Sequence, residues 1–516
     1  LIMIKCLLSR QNTESKKGHQ MNPATSTSIL PTLTTDLLAR EDIYIDNLFS
    51  KTWRRVGFNS LLNQSGFRKR SGTPASEVVY LLLLWVWLKV NSVAMFSKDS
   101  LQSFSATKKD ALYDLLNRED LNWRKLQLLT ARKVIKSIDS SALRAFVVDD
   151  SVKLRRGKKM PGVSSHFDHL TGRCAMGQQV LTLGLATEAQ FVPLDSEIFI
   201  SKKKAQPLPN DFADGRSIVA QRYRQAQEQS KPEMVRDMIS RALRVDINAQ
   251  YFLADAWFAT KPMLKLTEEK SLIAVVRMKK NKMKYRLATA KEGYRSLSAE
   301  ELYKDQIKGQ WHKVSGRPYQ SKSIMVELNL AQSTKESDHW VKVKLLYVRG
   351  VNEEKQHAGK HDWALFLTTD SQLNDDKILE IYALRWGIEV YFKEAKQKLG
   401  FLKEQSTHYS TYIASIHLTG LRYCLLLFAK HEEGDARLSD SRNKMIDSLS
   451  SLDYASRLWG LFRALIAGAL DELKAQYGEM VSDILGHIDR TVKLFFEQVM
   501  QMDSFTLRLE AESGEH

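Results

Sequence analysis

The stretch from Asp376 to Leu399, DKILEIYALRWGIEVYFKEAKQKL, constrains this chain more than any other segment. Ile381, Leu384, Ile388, Phe392, Ala395 and Leu399 recur at helical spacing, and at ~100° per residue they fall within one arc of roughly 80°. The pattern predicts one packed helix with a buried stripe. Tyr382, Arg385, Glu389 and Lys396 occupy an adjoining arc of roughly 60°, which sets a carboxylate among a phenol and two cations, strong ligands for phosphate. Taken alone, the same four residues also read as a solvated face with an i,i+4 pair between Arg385 and Glu389. Whether they carry chemistry therefore depends on what the rest of the chain supplies.

Two upstream segments supply carboxylates. Ala145–Val148 is a short apolar run ending in Asp149-Asp150-Ser151, and it reads as a buried strand that delivers an acid at its end. Successive strand side chains point to opposite faces, so only one of Asp149 and Asp150 faces a site. Tyr251–Ala254 is a second such run, ending in Asp255-Ala-Trp-Phe258, again at the C-terminal end of a strand, where open α/β sheets place ligands. Gln178–Ala186 and Phe191–Ile200 read as strands of a meander between them, and Arg216–Ala249 as strongly charged helix. A lone strand-ending aspartate is more often a turn residue. Two of them in order before an acidic helix point to a site.

The spacing Tyr382-x2-Arg385-x3-Glu389-x6-Lys396, with Trp386, Ile388 and Phe392 between, resembles the YREK signature of bacterial insertion-sequence transposases of the IS-four type. The resemblance spans roughly 113–428. It implies an α/β fold with a ribonuclease H-like catalytic core, interrupted by a β-rich insertion and flanked by all-helical N- and C-terminal regions. It also implies a catalytic, metal-holding triad of Asp149, Asp255 and Glu389. In the resembling families the first aspartate follows an apolar residue and precedes x-Ser/Thr, which selects Asp149 and leaves Asp150 as the alternative. Three carboxylates suit two Mg²⁺ or Mn²⁺ ions, hard cations that take oxygen ligands and demand neither His nor Cys. The implied function is cut-and-paste DNA transposition, with hairpinned ends and strand transfer inside a homodimeric synaptic complex. Its partners are double-stranded DNA, the terminal inverted repeats and a target. Tyr382, Arg385 and Lys396 would grip phosphate, and Trp363, in the strand HDWALFLTTD, would hold a flipped base if exposed. Two other readings stay open: a ribonuclease H-like nuclease or resolvase without strand transfer, and an inactive protein that only binds transposon ends.

Composition agrees with a nucleic-acid partner. The 516 residues carry a net charge of +17, and neutralising phosphates with Lys and Arg releases condensed counterions. Basic runs at Lys153–Lys159, with Arg155 and Arg156, and at Arg277–Arg286, with Lys279, Lys280 and Lys282, are candidate DNA contacts. Cys6, Cys174 and Cys424 form no CxxC pair, which argues against a disulfide framework or structural zinc and fits a reducing cytoplasm. His166-Phe-Asp-His169 has no second ligand set at zinc spacing. No apolar run approaches the ~20 residues of a membrane span; the longest, Val78 to Trp87, reads as a buried helix.

The expected organisation follows. Residues 1–35 are a poorly ordered lead-in with Met21 as the expected start, and 36–140 a helical DNA-binding domain. Residues 141–278 form the first part of the core, 279–372 the β-rich insertion and 373–430 the second part. Residues 431–516 are a helical region whose apolar stretch from Leu458 to Leu470 is a candidate dimer contact.

Overall fold

The computed structural model describes residues 47–454, apart from 70, 89, 106, 139–142, 158, 169–171, 203, 290–292, 308, 334 and 351–362, together with 457, 480, 483–484, 486–487 and 490. The lead-in and the candidate dimer contact lie outside the described residues. Leu48–Ser450 form one compact unit that holds every element named below. Leu1–Asn47 and Ser451–His516 cluster as a second, in which Asp453 and Arg457 pair at 2.8 Å across one helical turn.

The chain begins with α1 (Leu48–Val56), α2 (Phe58–Gln64), α3 (Ala75–Leu84), α4 (Val93–Asp99), α5 (Lys109–Asn117) and α6 (Trp123–Ile138). Helix α3 is buried on nearly every side, Glu77 included, as a helix with apolar residues all round must be. It is shorter than the apolar run suggests, because Trp85–Trp87 tighten into a 3-10 turn.

Strands β1 (Ala145–Leu154), β2 (Ser164–Asp168), β3 (Arg173–Ala186) and β4 (Phe191–Phe199) follow, then α7 (Ile218–Glu228) and α8 (Lys231–Arg244). Next come β5 (Tyr251–Ala254), α9 (Lys261–Glu269) and β6 (Ile273–Met278). Residues 284–350 add β7 (Lys284–Thr289), β8 (Gly293–Ser298), α10 (Ala299–Asp305), β9 (His312–Lys313), β10 (Tyr319–Asn329) and β11 (Trp340–Gly350). The chain returns through β12 (Trp363–Thr368) to α11 (Asp375–Ala383), α12 (Trp386–Gln397) and α13 (Tyr409–Glu432).

All twelve strands join one mixed sheet in the order β2-β3-β1-β5-β6-β12-β11-β10-β7-β8, with β4 on β3 and β9 on β10. Among the described residues only β1, β5 and β6 pair in parallel. The residues expected as an insertion continue the sheet outward from β12 rather than forming a sheet of their own. At the other end, β4 carries two buried acids, Asp195 and Glu197, into a cluster with Arg124 of α6, Arg222 of α7 and Arg241 of α8. Burial alone would raise the Asp195 carboxyl, but Arg241 and Arg124 hold it well below the usual range. Three helices are thereby tied to one strand.

Two sequence expectations are corrected. The stretch Asp376–Leu399 is two helices, not one: α11 ends at Ala383, α12 begins at Trp386, and i to i+3 bonds from Leu384, Arg385, Gly387 and Ile388 tighten the join. The uniform helical wheel therefore fails there, and Leu384 is only half-buried. The second concerns α13, which is long and apolar enough to span a bilayer by length and composition. Its apolar window is entirely buried inside the protein, and Arg422 within it donates to the carbonyls of Leu82, Leu83 and Leu399. Those contacts make it a core helix.

Candidate active site

The parallel ladder between β1 and β5 pairs Ala145 with Tyr251 through Val148 with Ala254. Asp149 and Asp255 are therefore each the first residue past the same rung. Both runs are apolar and buried on both faces, as strands covered by helices require. At Asp255 the chain turns away, and the carboxylate Oδ1 accepts from the backbone N–H of Trp257 at 2.9 Å and of Phe258 at 3.3 Å. Asp149 Oδ1 accepts from the Asp150 N–H at 2.8 Å. Strand β1 does not end there, contrary to expectation: it runs on to Leu154 because β3 continues to pair with it.

Burial, and next the negative charge of Asp255, push Asp149 up to about 7; Asp150 adds to the rise, while the backbone bond and Arg385 oppose it. Asp150 points to the other face. Its Oδ1 accepts from Gln179 Nε2 at 2.7 Å and its Oδ2 from Lys231 Nζ at 2.6 Å, so both of its oxygens are engaged.

Arg385 links the signature residues to this pair. One guanidinium nitrogen lies 3.4 Å from Asp149 Oδ2 and another bonds Glu389 Oε1. Helix α12 can lie this close to the sheet because it passes β4 at Gly387, where a Cβ would stand 2.8 Å from Phe191 Cβ. Tyr382 is half-buried with its ring edge against Phe366 at 4.8 Å; burial raises its phenol pKa while Arg385 and Arg277 pull it down. Lys396 is exposed one helical stretch beyond Glu389. Desolvation and then Lys153 lower its pKa, and Asp149 raises it.

Lys153 was expected as the first residue of a basic run following the strand, and sequence reasoning missed its place on the strand itself. Assigned to a loop, it is in fact on β1, four residues beyond Asp149 and on the same face. Its charge acts on Lys396 and Lys403, and Lys396 in turn feels Asp149. Strand parity counted from Asp149 would have found it, had β1 been extended.

The other candidates are dispersed. Arg155 donates to Gln178 Oε1 and to the Leu402 carbonyl and is committed to structure, while Arg156 is exposed. Lys279, Lys280 and Lys282 are exposed in the turn after β6. Trp363 is not exposed, as base stacking requires, but 4% accessible. It stacks on Tyr303 at 4.8 Å, packs against Tyr347, and has Lys280 Nζ 4.2 Å from its ring centre. It is a core tryptophan, which removes the ground for a flipped-base platform. His166 is buried and hydrogen-bonded to Ser164; His169 lies outside the described residues.

Among the described residues no three His, Cys, Asp or Glu side chains gather closely enough to hold a metal ion. The donor chemistry nonetheless fits one. Burial and next the charge of Asp255 raise Asp149, and each of the two carboxylates has its Oδ1 held by a backbone N–H, while Asp149 Oδ2 meets only the long 3.4 Å contact from Arg385. A hard cation is what such an oxygen pair lacks. Glu389 is kept from the pair by its bond to Arg385.

None of the curated proteins compared matches the chain. Residues 90–333, just under half of it, match the sequence profile of a family described as "DDE superfamily endonuclease". The matched range contains Asp149, Asp150, Lys231 and Asp255 and stops short of Glu389. The mixed α/β architecture with its large sheet is consistent with a DDE nuclease fold, and the match supports a DDE transposase-type family.

Proposed function

We propose that the protein is a DDE transposase of the insertion-sequence type, which cuts DNA at the ends of its element and joins them to a target. One observation carries the reading: Asp149 and Asp255 each lie one residue past the last rung of adjacent parallel strands, inside the residues matched to DDE endonucleases. Such endonucleases are generally dependent on a divalent metal. Asp149 and Asp255 would hold it, with Glu389 completing the set as the third oxygen donor. Mg²⁺ or Mn²⁺ bound there supplies charge neutralisation for the attacking and leaving oxygens of an in-line phosphoryl transfer.

The chain's own residues account for the rest. Arg385, Tyr382 and Lys396 border the acids and, with Lys153, can hold the phosphates beside the scissile bond, Arg385 by exchanging Glu389 for a phosphate oxygen in its planar fork. That exchange would free Glu389 for the metal as DNA arrives. The resemblance of the four signature residues to the YREK pattern implies strand transfer through hairpinned ends in a dimeric complex rather than simple hydrolysis. All three acids are present, which disfavours a protein that only binds ends.

The test is a supercoiled plasmid carrying the coding segment with its natural flanks, incubated with the protein and Mg²⁺ and then with a target plasmid. Release of the segment and its joining to the target, both lost in Asp255→Asn, is the expected result. Cleavage without joining identifies a hydrolytic nuclease instead.

A further inference from the structure

Lys231 sits where a cation is disfavoured twice. It opens α8, whose N-terminus carries the positive end of the helix dipole, and it is 5% exposed, where an ammonium is costly to desolvate. Its Nζ is spent on two contacts. One is Asp150 Oδ2 at 2.6 Å; the other is the face of Trp257, 3.9 Å from the ring centre, with Phe199 at 5.0 Å.

Each of these partners leads to a carboxylate of the candidate site. The Asp150 N–H donates to Asp149 Oδ1, and the Trp257 N–H donates to Asp255 Oδ1. The β1–β5 ladder stops at Val148 and Ala254, so no rung holds Asp149 at a fixed distance from Asp255. Lys231 bridges that gap, with one contact on β1 and the other on the turn after β5.

We propose that Lys231 is a positioning residue that sets the separation of Asp149 and Asp255, acting from the face of the sheet on which Asp150 lies. The inference rests on reading those two acids as a metal-holding pair. A purely structural role would be to neutralise Asp150, and the two roles part in the double variant Lys231→Met/Asp150→Asn. It removes both charges, keeps the volume, and leaves no buried ion unpaired, but it cuts the tie between β1 and Trp257.

The experiment titrates Mn²⁺ alone into the full chain by calorimetry, with melting curves recorded without metal. The double variant is expected to melt near the wild type yet bind Mn²⁺ about tenfold or more weakly, as losses of outer-shell partners do. Lys231→Arg, which keeps a cation between the same partners, should stay within about threefold of wild type. Wild-type Mn²⁺ affinity in the double variant would overturn the proposal. Should that variant fail to fold, Trp257→Leu, at a half-exposed position, takes its place with the same two outcomes. If Mn²⁺ binding by the wild type is unchanged in Asp255→Asn, the metal reading itself fails and this inference falls with it.

Discussion

Asp149 and Asp255 stand side by side where the parallel ladder of β1 and β5 ends, each one residue beyond the paired Val148 and Ala254. Their neighbour Asp150, one residue along, is turned to the opposite face and held by Lys231. Adjacent aspartates thus meet different fates, and substituting each should give different outcomes.

Asp149→Asn should abolish Mg²⁺-dependent cleavage while the protein stays folded and still binds DNA, since the change removes a ligand and adds no repulsion toward phosphate. Asp150→Asn strands the buried Lys231 ammonium and should cost ~3–5 kcal/mol of stability. Melting curves and a gel assay of cleavage separate the two. Equal melting temperatures for both variants would contradict the assignment of faces.

The raised Asp149 pKa has a signed consequence for the metal-free protein. Its folded value of about 7 exceeds the ordinary carboxylate value, so the folded state binds the proton more tightly than the unfolded state does. The associated stability is fully present below about pH 4 and is lost as pH rises through about 7. The side chain is 21% exposed, which makes ~4 kcal/mol an upper limit for the loss. Asp149→Asn should remove this pH dependence, and denaturant titrations at pH 5 and pH 8 without metal measure it.

Trp363→Ala should behave as a core truncation. With Tyr303 and Tyr347 packed on the ring, the loss is ~3–5 kcal/mol, read as a lower denaturation midpoint. Any fall in DNA cleavage should track the unfolded fraction and disappear when stability is restored by conditions. A variant that melts like wild type but fails at one DNA step would return Trp363 to the site.

Gly387→Ala should push α12 away from β4, because the new methyl would meet Phe191 at a separation real Cβ atoms do not tolerate. The expected cost is ~1–3 kcal/mol. Turnover should fall by more than stability explains, since Arg385 and Glu389 flank this residue. The readout is kcat of folded protein at saturating DNA.

The parts of the site legible in sequence were those set by local pattern. Tyr251–Ala254 is a strand over the residues its apolar run marks, because nothing polar interrupts it and Asp255 stops it. Strand β1 overran its pattern because Ser151-Val-Lys-Leu is half polar and is kept extended only by pairing with β3. The break between α11 and α12 carries no proline, and Gly387 in its tightened turn acquires meaning only once Phe191 is seen beside it. Trp363 is buried by Tyr303 and Tyr347, and Lys231 is matched to Asp150 across 81 residues of sequence. Contacts of that range leave no periodic trace.

The most direct measurement of the central claim is an anomalous difference map from a crystal of the protein soaked in Mn²⁺. The account predicts a peak between Asp149 and Asp255, lost in Asp255→Asn, with Glu389 drawn toward it once DNA engages Arg385. A map at saturating Mn²⁺ with no peak at these two carboxylates, or with a peak at Asp150 in place of Asp149, would contradict it.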